Sequence, residues 1–532
     1  MKTNKIFLLS ALMLMLWISG CEEINPNENL KQLNPANVDA NAGNWSMLLL
    51  TSNNQFAASV PTPAAVNSIA YQTELATIKD VQGKLTSSQK EIIKYWSAGG
   101  VLRWNEIMRQ LVAEFSLAPA PRDDGSYIFP DAENPFSDPV FPFASPPYAA
   151  RAYSYVSMAQ YEALKSTWYF KYLHNRPAPY TNDVSIRALV PTSSLPAYPS
   201  EDAVLSGVTA ELLKVLFPTA VELITKKAAE QRNAALWSGK ASISDIAIGL
   251  NLGKAVAGFI TAPGTGRLRT DGVGNAIGTK AQWDVLIDSA KLHYAKIGDP
   301  RDLSKEVFWK SLDSPSRPPM LPFFGNVKGW FLTPVEIAFE RNKIGPPPST
   351  SSDQMKTELT EVKSVADKID RDKIKIVHYW ADGGGTYTPP GHWNDIAAEY
   401  VSNANFSEVR AARAFAYLNA AMHDAAVACW NTKYYWFNPR PTQLDASIKT
   451  FTGMPNFPSF LSGHSTFSAA AADVLSYLFP SDVSTFNEYK EAASLSRLYG
   501  GIHYRTDIEK GKDLGTAIGG YAVAVAEVDG AN

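Results

Sequence analysis

The chain repeats itself, and that limits its fold more than any other feature. Ala149-Ala150-Arg151-Ala152-Tyr153-Ser154-Tyr155 returns 262 residues later (413 − 151) as Ala411-Ala412-Arg413-Ala414-Phe415-Ala416-Tyr417. At the same spacing Trp168 and Lys171 match Trp430 and Lys433, and Leu216-Phe217-Pro218 matches Leu478-Phe479-Pro480. Asp245, Gly249 and Gly253 likewise match Asp507, Gly511 and Gly515. Tyr95-Trp96 and Tyr379-Trp380 extend the match with a different spacing, as insertions produce. Self-similarity over so long a period means two copies of one folding unit. Apolar residues recur at helical intervals between Pro and Gly, without sustained strand alternation. The expected fold class is therefore all-α, as two tandem helical bundles: residues 51–263, a connector and insertion at 264–352, and 353–532.

The two copies differ where chemistry would be done. In the second, Ser462-Gly463-His464 ends a Pro-rich loop just before an Ala-rich apolar run, so N–H groups and a hydroxyl converge at a helix N-terminus, a place that binds anions. Arg497 and His503 are too far apart to share a helix face, but Gly500-Gly501 permits a break, after which His503 and Asp507 sit one turn apart. That carboxylate can hold the imidazole in one tautomer. Upstream, prolines flank Arg440 in Lys433-Tyr434-Tyr435-Trp436-Phe437-Asn438-Pro439-Arg440-Pro441. Three cations, a Ser hydroxyl, helix N–H groups and two His describe a pocket for a compact tetrahedral oxyanion, where one His bonds the central atom and the other moves a proton. At the positions of Gly463, His464, Arg497 and His503 the first copy has Glu201, Asp202, Ala235 and Ala241. Two acids and no histidine cannot do this chemistry, so the first bundle is expected to be a degenerate scaffold.

The set Lys-x6-Arg-Pro, Ser-Gly-His and Ser-Arg-x5-His-x3-Asp resembles that of the superfamily uniting vanadium-dependent haloperoxidases with type 2 phosphatidic acid phosphatases. Leu461 departs from it, the family commonly having Pro before Ser-Gly-His. The resemblance implies a fold of the vanadium chloroperoxidase-like type and a role for each matching residue. Lys433, Arg440, Ser462, Gly463 and Arg497 would bind the oxyanion; His503 would be the vanadate ligand or phosphate nucleophile, Asp507 its orienting partner, and His464 the general acid/base. Two activities are implied: halide oxidation by hydrogen peroxide on His-bound vanadate, or hydrolysis of phosphate monoesters through a phospho-His intermediate, which needs no cofactor. The duplicated architecture resembles the haloperoxidase branch, since the superfamily's lipid phosphatases carry several apolar spans and no further span is expected here after residue 20. A third reading, an inactive lipid-anchored binding protein, fits the first copy better than the second.

Residues 1–20, with Lys2 and Lys5, an apolar run from Ile6 to Trp17 and Ile18-Ser19-Gly20-Cys21, resemble a bacterial lipoprotein signal. This implies acylation of Cys21, a tether over residues 21–50 and a place on the bacterial cell envelope. Cys429 is then the one remaining cysteine, which excludes an intramolecular disulfide. A net charge of −3 argues against a nucleic-acid partner, leaving small-molecule substrates and the membrane reached by the lipid.

Other features read as structural. Gly264, Gly266, Gly272 and Gly274 do not complete a phosphate loop, and His423 reads as a core histidine. His378 and His392 flank a Gly-rich surface loop, Asp382 to Gly391, while His174 and His293 have no evident partners. No carboxylate and histidine cluster has the spacing of a divalent metal site.

Overall fold

A computed structural model describes residues 30–117, 122–127 and 145–531; the signal, Cys21 and its acylation lie outside them. The described residues are helical, with no strand among them. The first copy runs α1 (Ile69–Gly83), α2 (Ser87–Trp96), α3 (Gly100–Phe115), α4 (Pro146–His174), α5 (Glu201–Leu216), α6 (Val221–Trp237) and α7 (Ile243–Thr261). The connector holds α8 (Leu286–Lys296) and α9 (Pro334–Ile344). The second copy runs α10 (Asp353–Asp367), α11 (Arg371–Tyr379), α12 (Thr388–Ala404), α13 (Glu408–Trp436), α14 (Gly463–Leu478), α15 (Val483–Tyr499) and α16 (Arg505–Ala526). From α4 and α13 onward each helix begins 262 residues after its counterpart (463 − 201).

The repeated residues show why. Side-chain oxygens of Ser200 and Ser462 accept the N–H of Ala203 and Ser465, starting α5 and α14 at matched places. A Cβ on Gly253 would lie 2.3 Å from the Val204 carbonyl, and one on Gly515 2.3 Å from that of Thr466. Only glycine permits that approach, so α7 lies against α5 as α16 lies against α14. The repeated arginines close each bundle: Arg151 and Tyr155 bond Asp271, while Arg413 and Tyr417 bond Asp529.

The two longest helices, α4 and α13, pack together at the centre and join the copies through a continuous core. Asparagines satisfy one another inside it: Asn105 donates to Asn394 at 2.7 Å, and Asn394 to Asn419 at 2.6 Å. Buried amides without partners would be destabilising, and this chain leaves these three paired.

Two expectations need correction. Residues 30–50 are packed rather than a loose tether: Glu162 accepts the N–H groups of Leu48, Leu49 and Leu50, Trp45 is buried, and Asp39 pairs with Arg410. And α7 is long and apolar enough to cross a membrane, the one such helix among the described residues. Gly249 and Gly253 lie against α5 and Asp245 at its start pairs with buried Arg176, so one face of it packs into the first bundle.

Candidate active site

Lys433, in the last turn of α13, turns its ammonium onto the loop that precedes α14. The carbonyls of Pro458 and Ser459, at 3.0 and 2.9 Å, and of Leu461 accept from it. Burial pulls Lys433 down to about 7. Arg440 donates from Nε and Nη2 to the Phe457 carbonyl, at 3.1 and 3.0 Å, and from Nη1 to the Ile502 carbonyl and to His503 Nε2, both at 2.9 Å. Burial lowers Arg440 to about 9 and Arg497 to about 10. Arg497, near the end of α15, donates from Nη1 to the Trp380 carbonyl at 3.3 Å, while its Nε is buried without a partner.

His503 stands in the turn made by Gly501, whose φ is 76°, just before α16. Its Nδ1 lies 2.8 Å from Asp507 Oδ2. The same oxygen accepts from Ser459 Oγ at 2.5 Å and the Tyr504 N–H at 3.2 Å. Burial, with Arg440, Lys433, Arg497 and His464 around it, drives the imidazole's proton affinity well below the usual value. A neutral ring whose Nδ1–H is given to Asp507 keeps a lone pair on Nε2, and Arg440 Nη1 marks its direction. Burial pushes Asp507 up to about 6.

Ser462 caps α14 and its N–H bonds the Asp507 carbonyl at 3.0 Å, tying α14 to α16. The Phe460–Leu461 peptide is cis, as is Tyr198–Pro199 at the same place in the first copy. His464, in the first turn of α14, has a buried Nε2 without a partner. Burial and Arg497 pull it well below its usual value. Lys433, Arg440, Arg497, His464, His503 and Asp507 thus lie around one place.

The first copy shows what the same frame does without them. Lys171 pairs with Glu201 at 2.8 Å, Lys240 with Glu201 and Asp202 at 2.7 and 2.8 Å, and Arg176 with Asp245. Against the effect of its burial, Lys171 and Lys240 hold Glu201 at about 2. A cavity of about 80 Å³ beside this network is lined by Glu201, Asp202, Lys240, Trp96 and Glu408. At the matching Gly463, an added Cβ would meet nothing closer than Trp430 at 3.7 Å. The neighbouring protein does not require glycine there; the place filled by an acid in one copy is open in the other.

Some site residues escaped the sequence reading. Ser459 is one, although the first copy signals it, having Ala197 where Ser459 stands and Ala241 where His503 stands. His392 is another: rather than lying on a surface loop it is buried, its Nδ1 3.1 Å from both oxygens of Asp382 and its ring stacked on Trp380 at 4.3 Å. His392 also lines a cleft of about 330 Å³ with Tyr379, Tyr400 and Tyr489. His378 is exposed. His423 is buried against the Lys328 carbonyl at 3.2 Å, away from the cluster, as a core histidine. His293 does have a partner, stacking on Tyr435 at 3.6 Å, and His174 packs on Tyr198.

The family model for the PAP2 superfamily matches residues 413–529, a span that runs from α13 past α16 and holds every residue of the cluster. The second bundle thus carries the PAP2 match. Among solved structures, the chain is similar to a bacterial vanadium-dependent iodoperoxidase, at 20% identity and a TM-score of 0.53 over 80% of this chain and 96% of that one. It is also similar to a bacterial vanadium-dependent chloroperoxidase, at 12% identity and a TM-score of 0.48 over 75% of this chain and 96% of that one. The likeness to the iodoperoxidase is one of fold, and it extends well beyond the PAP2 bundle. No curated protein sequence matches.

Proposed function

We propose that the PAP2 bundle is the active unit of an oxyanion-site enzyme resembling the vanadium-dependent haloperoxidases, and that the first bundle is its silent scaffold. The observation carrying this reading is the contrast between positions 201 and 463. In the first copy an internal carboxylate neutralises Lys171; in the second, glycine leaves that place open beside Lys433, Arg440 and Arg497, whose hydrogen bonds go to carbonyls and His503 rather than to acids.

The residues fit a tetrahedral oxyanion such as vanadate or phosphate. Lys433, Arg440 and Arg497 supply charge, and Ser462 Oγ and the first N–H groups of α14 supply donors. His503 would hold the central atom through Nε2, and Arg440 Nη1, which meets that nitrogen at 2.9 Å, would be placed to donate to the anion. Asp507 and Ser459 hold the imidazole, and His464, through Nε2, moves protons. When bound, vanadate supplies the electrophilic centre at which hydrogen peroxide is activated to oxidise halide.

The PAP2 match supports a second reading, phosphate monoester hydrolysis. There His503 Nε2 attacks phosphorus, the bond to the ester oxygen breaks, and His464 protonates the leaving alcohol; water then releases phosphate. Purified protein lacking residues 1–21 should oxidise iodide, bromide or chloride with peroxide only when vanadate is supplied. Hydrolysis of p-nitrophenyl phosphate without halide oxidation would select the second reading, and neither activity in folded protein would leave a binding protein.

The proposal includes a location. Acylated at Cys21, the protein would be held at the bacterial cell envelope, and Cys21→Ser should move it from the membrane to the soluble fraction; unchanged membrane association would remove this element.

A further inference from the structure

An acid lies beside the cluster without being used by it. The Asp382 side chain is buried, and its two oxygens are shared by His392 Nδ1 at 3.1 Å each. Asp382 follows by two residues the Trp380 carbonyl that Arg497 Nη1 grips, and its charge reaches the Arg497 guanidinium. Yet Asp382 forms no ion pair with Arg497 among the described residues; its partner is His392. Arg497 keeps a buried Nε without a partner. A carboxylate this near a guanidinium is its natural competitor, because an arginine–carboxylate pair is charge-assisted and can be two-pronged. In the first copy such competition has run its course, with Glu201 holding Lys171.

What differs in the second copy is the histidine. His392-Trp393-Asn394-Asp395 of α12 matches Arg103-Trp104-Asn105-Glu106 of α3 at a spacing of 289 (393 − 104), so the silent copy carries Arg103 at this position. From the Trp380–Tyr379 spacing, its counterpart of Asp382 is Ala98 (382 − 284). Histidine and acid therefore occur together, and only beside the cluster that has Arg497. The His392 ring is fixed on three sides, by Trp380 at 4.3 Å, Tyr379 at 4.8 Å and Tyr387 at 6.0 Å, so its Nδ1 cannot readily leave Asp382.

We propose that His392 is a positioning residue that holds Asp382 away from Arg497, so that the guanidinium is kept for the oxyanion and not spent on an internal acid. The inference rests on the oxyanion reading of the site. It assigns His392 no contact with substrate. It makes anion affinity depend on a residue outside the PAP2 match.

Vanadate and phosphate binding to the full chain, measured calorimetrically, tests it. His392→Phe retains a flat ring on Trp380 and removes the donor, so Asp382 should turn to Arg497 and affinity should fall roughly tenfold or more, the scale of losing one charged donor. Asp382→Asn in that background should bring affinity back to within about threefold of the parent, which loss of packing alone would not allow. Asp382→Asn by itself should bind at least as tightly as the parent, and this arm decides the matter even if His392→Phe does not fold. Unchanged affinity in His392→Phe, no rescue in the double variant, or weaker binding in Asp382→Asn would each overturn the proposal. A parent that binds neither anion overturns the oxyanion reading itself, and this inference with it.

Discussion

His503→Ala should abolish turnover, by roughly 10⁴–10⁶, the loss seen when a residue acting at the reacting atom is removed, while leaving part of the anion affinity. The expectation follows from how the charges are arranged. Lys433 is held by three carbonyls, Arg440 by those of Phe457 and Ile502, and Arg497 by that of Trp380, so none of the cations depends on the imidazole for its place. Removing the ring deletes the lone pair that Arg440 Nη1 meets and releases that N–H to the anion. Rate and affinity should therefore separate. Turnover in His503→Ala within tenfold of the parent would show that Nε2 is not the bonding atom, whichever reaction the enzyme performs.

His464→Ala should reduce turnover by about 10²–10⁴, the usual contribution of a general acid/base, with a much smaller loss of anion affinity. In the free site burial and Arg497 keep His464 well below its usual value, and hence neutral at neutral pH. An oxyanion changes the sign of the local field: negative charge beside the ring favours the imidazolium, so the proton is taken up with the anion and is ready for transfer. The rate carried by His464 should then rise as pH falls toward the bound-state value and be lost as pH rises through it. An unchanged rate in His464→Ala would remove the residue from the mechanism.

The fold was legible because the duplication is written in residues with structural work to do. Arg151 and Arg413 close the bundles and Gly253 and Gly515 let helices touch, so both pairs survive at one spacing. The cluster was legible because its parts lie in three short motifs. What was hidden depends on partners far along the chain. Residues 48–50 look like tether until Glu162, more than a hundred residues on, accepts their N–H groups. The connector looks like a linker, yet Asp424 of α13 accepts the N–H groups of Trp330 and Phe331 at 2.7 Å each and packs it onto the PAP2 bundle. His392 was obscured differently: a Gly-rich stretch separates it from Asp382, and glycine content says nothing of a buried pair across the loop.

The most direct test of the account is the number of oxyanions each chain binds. Calorimetric titration of the parent with vanadate should give one per chain. Arg497→Ala should weaken that site by tens to several hundredfold, for the loss of about 2–4 kcal/mol with one charged donor in a buried pocket. Asp202→Ala in the silent copy should leave both number and affinity as they are. Two anions per chain, or one that Arg497→Ala binds as tightly as the parent does, would contradict the claim that this chemistry belongs to the PAP2 bundle alone.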